Sequence, residues 1–389
     1  MSKRVELHPA SIKHLKKGHP WVTKDRFSSN FPQKDSFLWA KTAEHGRAIL
    51  INDPSHQMIK ARLWSLIHQN DSFNENIFKR ELKERLEKSY NFRKSLNLDR
   101  DNYFLCFGEA DQLPGLFIQV LGTRALIQFY SDFWNRYEKE VSDFVLNYFK
   151  KNDIWLQKRN KNQQKEFYCL NRKNKDDEFH ITEFGIRYKI KLNKSYDIGL
   201  YTDMAAIRNR LKKNFENKRV LNLYSYTGAY SAFALKNGAT DVTSVDLSKK
   251  YISWLEENLK ENDLMSSHES IVSAVLPALK KFKADNEKFD LIICDPPSSS
   301  SDGKKRTKAI DSYRELIPLF YDLLNSRGEV YAFLNTHSIT RNKFETKIKE
   351  YTKDSPFSIS GHLKLTEDCP SLKGFPEGDY LKGLKLLKK

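Results

Sequence analysis

From about residue 195 to residue 335, short apolar and β-branched runs (VLNLY, VTSVDL, FDLII, EVYAFLN) alternate with helical stretches around Ala229, Trp254 and Leu316. Runs of this length suit strands buried on both faces, and strand–helix alternation sustained this far implies a mostly parallel, doubly wound sheet. Ligands of such sheets bind beyond the carboxyl ends of the strands. Residues 289–297, FDLIICDPP, mark one such end. After the apolar run, the chain meets Asp295 and then Pro296 and Pro297. Proline offers no N–H to a sheet and fixes its own φ, so the strand must stop there on a stiff corner that presents an acid.

A second strand end narrows the ligand. Residues 220–224 read as a strand, Ser225-Tyr226-Thr227-Gly228 as the turn that opens a helix, and Thr243-Ser244-Val245 as a strand ending in Asp246. An acid there can accept both hydroxyls of a ribose, with Leu247 beside it. A dinucleotide pyrophosphate would want G-x-G-x-x-G, whereas Gly228 stands alone, which disfavours NAD and FAD. S-adenosylmethionine carries no phosphate. Together with Asp-Pro-Pro at a later strand, the pattern fits a class I methyltransferase.

Composition bounds the rest. A chain of 389 residues predicts two or three domains. The net charge is +17, and residues 1–70 hold twelve Lys/Arg, five Asp/Glu and six of the ten histidines. A basic excess in a terminal module leans toward a polyanion such as RNA. The four cysteines are widely spaced with no CxxC pair, which excludes a disulfide scaffold and a zinc site. The start has no apolar signal core, and no run approaches the ~20 residues of a membrane span, so a cytoplasmic protein is expected. Residues 3–68 read as short strands and turns, and Phe78, Leu82, Leu86 and Tyr90 as one stripe of a connector helix. The expected division is therefore a β-rich module at 1–70, a connector and mixed α/β domain at 71–192, and the doubly wound domain at 193–389. Residues 158–175, with seven Lys/Arg, read as a solvated hairpin loop, with a phosphate-contacting loop as the alternative.

The phrases IGLYTDMAAIRNRL, VLNLYSYTGAYS, VTSVDLS and FDLIICDPP resemble the RlmI/RlmK group of bacterial large-subunit ribosomal RNA methyltransferases. The resemblance extends to KKGHPWV, similar to the opening of their RNA-binding PUA module, to GEADQLPGLFIQVLG in the central domain, and to FPEGDYLKGLKL at the end. It implies a Rossmann-like methyltransferase domain behind a PUA-like module and a central α/β domain. It also implies S-adenosylmethionine as cofactor, 23S ribosomal RNA as partner, and a monomer or homodimer. Tyr201, Asp203 and Arg208 would flank the cofactor; Asn222, Tyr224 and Gly228 would line its methionine end. Asp246 and Leu247 would hold the ribose end, and Asp295 and Pro296 would face cofactor and target. Lys16, Lys17 and His19, with Lys304, Lys305 and Arg306 after the Asp-Pro-Pro corner, are the expected RNA contacts. Asn258 and Asn262 match the helix after the second strand and read most simply as a helix end with an Asn cap.

Three positions depart from the family pattern: Ala205 replaces an arginine, residues 272–275 lack an acid, and Ser298-Ser299 follow the corner. The target atom depends on another. Cytosine C5 becomes nucleophilic only after a thiolate adds at C6. The cysteine of the cytosine-C5 relatives is absent from the matching strand, Phe333-Leu334-Asn335-Thr336-His337-Ser338. His337 stands at the nucleophile's place and is a catalytic candidate with Asp295. Guanine N7 has its own lone pair and needs only alignment, and the reading leans to that atom. The alternatives are a cytosine-C5 enzyme using Cys369 and a ribosome-assembly factor that binds RNA without chemistry.

Overall fold

The computed structural model describes residues 2–43, 46–68, 71–149, 153–159, 166–171, 177–192, 198–297, 299–301, 306–365 and 367–389. The chain forms two compact units, Met1–Asp176 with Glu367–Gly378, and Asp177–Thr366 with Asp379–Lys389. Among the described residues no helix is long and apolar enough to cross a membrane.

The first unit contains two five-stranded sheets. One runs in the order Lys3–Arg4, Phe37–Ala43, Gly46–Asn52, Ile59–His68, Trp21–Thr23, and closes a small core of Leu7, Leu15, Val22, Leu38 and Leu50. Because side chains alternate along a strand, Phe37, Ile49, Ile51 and Trp64 turn the other way. They join the helix Glu75–Ser95 and the second sheet in a larger core. The expected boundary near residue 70 is thus crossed by shared packing. A buried arginine reinforces it: Arg62 pairs with Asp53 at 2.8 Å and with Glu109 at 2.6 Å.

The segment Glu367–Gly378 completes this unit. Asp368 pairs with Arg100 at 2.8 Å, both nearly unexposed, and its carbonyl accepts from Arg93. Phe375 packs edge-on against Trp21 at 4.6 Å. Gly18 and Gly374, at φ +92° and +87°, pass so close to Lys373 and Lys17 carbonyls that a Cβ on either would lie 2.6 and 2.0 Å from them. Only glycine fits that crossing.

The second unit holds a seven-stranded sheet: β1 (Arg219–Leu223), β2 (Asp241–Asp246), β3 (His268–Val272), β4 (Phe289–Cys294), β5 (Leu324–Asn335), β6 (Phe357–Lys364) and β7 (Leu381–Lys388). Its order is 3-2-1-4-5-7-6, with β7 antiparallel to its neighbours. The helices packed around this sheet include α1 (Ala229–Lys236), α2 (Lys249–Lys260), α3 (Val275–Ala284), α4 (Ala309–Leu323) and α5 (Arg341–Tyr351), and a short helix, Ala205–Arg210, precedes it. Leu221, Leu223, Val245, Ile292, Cys294, Val330 and Leu334 share one face and pack on Leu279, Phe282, Ile317, Phe320 and Phe344. The predicted doubly wound sheet is what forms.

The hairpin Glu178–Glu183/Ile186–Lys191, expected in the central domain, belongs to this second unit. Asn258 and Asn262, four apart on α2 and its end, explain why. Asn258 Oδ1 accepts from the Lys189 N–H at 2.9 Å, and Asn262 bonds both N–H and C=O of Arg187. Two side-chain amides thus stand in for a neighbouring strand along the hairpin's open edge. They are a ladder as well as a helix end: Asn262 Nδ2 also donates to the Asn258 carbonyl of the last turn at 2.7 Å.

Candidate active site

Strand ends and tight turns build the site. The turn after β1 places Tyr224, Tyr226 and Gly228 at φ +56°, +50° and +80°. Glycine is needed at 228, where a Cβ would lie 2.3 Å from Leu255 Cγ. Asp246 fixes this turn from the end of β2: Oδ2 accepts from Tyr226 N–H at 2.9 Å and Oδ1 from Ser248 N–H at 2.8 Å. Burial raises the Asp246 pKa, opposed by those two backbone donors. Each carboxylate oxygen keeps a second lone pair for a ligand. Beside it, Leu247, just beyond β2, is 64% exposed and Val272, the register partner of Asp246 on β3, is 51% exposed. Two bare aliphatic side chains at the mouth of a sheet offer a flat apolar surface to a ring system.

The turn also captures the segment that precedes the sheet. Gly199 N–H donates to the Tyr226 hydroxyl at 2.9 Å, and the Thr227 hydroxyl donates to the Gly199 carbonyl. Tyr226 packs against Tyr201 and Tyr251, and Tyr201 is 41% exposed. Asp203 follows on this segment and accepts a hydrogen bond from the Tyr380 hydroxyl. Tyr380 in turn packs against the ring of His337, an exposed residue beyond β5.

Asp295 sits half-buried at the end of β4, and Pro296 is buried behind it. Tyr313 of α4 braces the corner: its hydroxyl lies 3.0 Å from the Cys294 carbonyl and 2.7 Å from that of Phe333 on β5. Burial pushes the Asp295 pKa up to about 7; the Asp203 carboxylate adds to the rise and Arg208 opposes it.

Arg208 and Asn222 are brought beneath the site rather than into it. The Arg208 guanidinium is bidentate to Glu183, at 2.7 and 2.9 Å, and both are almost unexposed. It also donates to the Tyr201 carbonyl, so it orients the Tyr201–Asp203 segment from behind. Asn222 donates to Ser231 at 2.8 Å in a buried string that runs on through Ser244 to His268 and seats α1 on the sheet. Glu183, Tyr230 and Tyr380 had no local sequence signal as site residues, because each acts through a partner distant in the chain. Cys294 is packed in the apolar layer, and burial pushes its thiol far up.

The first unit holds the other candidates. Lys16 and Lys17 are exposed. His19 is not available to RNA: it is 9% exposed, 3.1 Å from Glu377, with its ring against Phe375. Cys369 is buried in the returning segment. Lys304 and Lys305 lie outside the described residues, as does the Arg306 side chain.

The site therefore gathers three carboxylates, Asp203, Asp246 and Asp295, while its one buried guanidinium is neutralised by Glu183. Such a field repels phosphate and favours a cation. Residues 150–388 match the model of a family described as S-adenosylmethionine-dependent methyltransferases. The chain belongs to that family. This methyltransferase is 26% identical to "Ribosomal RNA large subunit methyltransferase I" of Pseudoalteromonas atlantica over 99% of both chains. It is 28% identical to the protein of that name from Klebsiella pneumoniae, over 98% of this chain and 97% of the other. Its fold is similar to that of SMU.776 complexed with SAH, with a TM-score of 0.86 at 22% identity over 99% of this chain and 100% of that one.

The residues present suit the cofactor of the family. Buried hydroxyls of Thr202, Ser225 and Tyr230 have no hydrogen-bond partner among the described residues. Groups left so cost folding energy unless a ligand meets them.

Proposed function

We propose that this methyltransferase modifies guanine N7 of large-subunit ribosomal RNA by direct transfer, with no covalent enzyme intermediate. The substrate class is supported by relatives named for large-subunit ribosomal RNA that align along almost the whole of both chains. One observation carries the choice of atom. The only cysteine of the second unit, Cys294, is sealed in an apolar layer with its thiol pushed far up, so its sheet offers no thiolate for C6 of a pyrimidine. Guanine N7 needs none.

S-adenosylmethionine, when bound, supplies an electrophilic methyl on a cationic sulfur. Asp246 takes the ribose hydroxyls, and Leu247 and Val272 cover the purine. Tyr201, Tyr224, Gly228 and the Thr202, Ser225 and Tyr230 hydroxyls line the remainder. Asp203 and Asp295 balance the cation, and Asp295 with His337 orients the target base. Catalysis is then mainly alignment in a negative, partly dry site.

The first 70 residues serve as a PUA-like grip on RNA through Lys16 and Lys17, and Lys304, Lys305 and Arg306 hold phosphates near an unstacked base. The protein works in the cytoplasm as a monomer or homodimer.

Nucleoside mass spectrometry of ribosomal RNA from cells with and without the gene tests the reading. Loss of 7-methylguanosine from the large subunit is expected. Loss of 5-methylcytidine would overturn the atom, and an unchanged spectrum the substrate.

A further inference from the structure

The phrase GDYLKGLKL contains a lysine that the mechanism above does not use. Lys382, the second residue of β7, is 1% exposed. Among the described residues no carboxylate lies within ion-pair distance of it. Its ammonium donates instead to two backbone carbonyls, Thr336 at 2.5 Å and Tyr380 at 3.2 Å. The nearest acid, Asp379, is taken by Arg341, which grips it through two nitrogens at 3.2 and 2.8 Å. A buried charge with no counter-ion is costly, and an apolar side chain would suit a strand flanked by Leu334 on β5 and Lys364 on β6 equally well.

The two carbonyls explain its place. One belongs to Tyr380, whose hydroxyl binds Asp203; the other to Thr336, the residue before His337. The Tyr380 carbonyl also accepts the Thr336 N–H at 2.9 Å, so the ends of β5 and β7 form one knot around the ammonium. The His337 and Tyr380 rings pack together, 5.3 Å apart.

We propose that Lys382 is a positioning residue for methyl transfer, holding Tyr380 and His337 in register with Asp203 at the carboxyl edge of the sheet. The role rests on the family's methyl transfer; ribosomal RNA enters only through one assay. Burial lowers the Lys382 pKa to about 8, with Arg341 acting in the same direction and Asp379 against it. The charged groups around it are Arg341, Asp379 and Lys364, its register partner on β6. The knot should loosen as the ammonium is lost above that pH.

Full-length wild type, Lys382→Met and Lys382→Arg are compared. Hydrogen exchange is followed in residues 335–340 and, separately, in residues 199–204, which carry Asp203. In Lys382→Met both segments should exchange at least about tenfold faster, while Lys382→Arg, charged at every pH used, stays near wild type. Transfer of labelled methyl to ribosomal RNA from a strain lacking the gene should fall about ten- to a hundredfold in kcat for Lys382→Met. Wild-type activity should decline above pH 8, and Lys382→Arg should lose that decline. Unchanged exchange at 199–204 in Lys382→Met, or the same alkaline decline in Lys382→Arg, would overturn the role. Should Lys382→Met not fold, the Lys382→Arg pH profile decides. Should wild type label no ribosomal RNA, the substrate reading fails and the exchange data still decide Lys382.

Discussion

Burial and the Asp203 carboxylate keep the proton on Asp295 up to about pH 7, against an ordinary 3.8. Between those values the folded protein binds more protons than the unfolded chain, so stability falls as pH rises through the window. Asp295→Asn has no such cost. Its melting temperature should exceed that of wild type by a few degrees at pH 8, and the gap should close by pH 4. A cationic cofactor favours the carboxylate, so calorimetry should find wild-type affinity for S-adenosylmethionine rising with pH up to about 7 and Asp295→Asn affinity flat. Asp246→Ala removes the ribose acceptor and the brace on Tyr226; affinity should drop at least about a hundredfold. Both acids were legible in the sequence, because an acid on a strand end beside turn residues is a local pattern. Arg208 and His19 were not. The partner of one lies 25 residues away and that of the other 358, and no local pattern announces either.

Strands and helices of the second unit were legible for the same reason: apolar runs and periodicity are properties of a few consecutive residues. The hairpin's destination was not, because two asparagines on another element decide it. Asn258→Ala leaves the Lys189 N–H and the Thr227 carbonyl without their partners. It should cost about 2–4 kcal/mol in urea unfolding, and Asn258→Asp should restore only the first bond. Gly228→Ala meets both a positive φ and Leu255. It should lose both stability and cofactor binding, measured by denaturation and calorimetry.

The positive charge of the whole chain makes a prediction about RNA. If Lys16, Lys17, Lys304, Lys305 and Arg306 meet phosphates, log affinity falls with log salt by about 0.7 per contact on single strands. Replacing Lys16 and Lys17 by Gln should shallow that slope, read by filter binding at several ionic strengths. The expected split at residue 70 was set by the change from strand-like to helical pattern, which cannot reveal that Phe37 and Trp64 share a core with the second sheet. It reveals still less that residues 367–378 return to the first unit. That return has a consequence for synthesis. As the chain leaves the ribosome, Arg100 and the Trp21 face wait for Asp368 and Phe375, which emerge long after them. The first unit can therefore be finished only after residues 177–366 have been made, and a fragment ending at residue 176 would carry a buried arginine with no acid and an aromatic face with no cover.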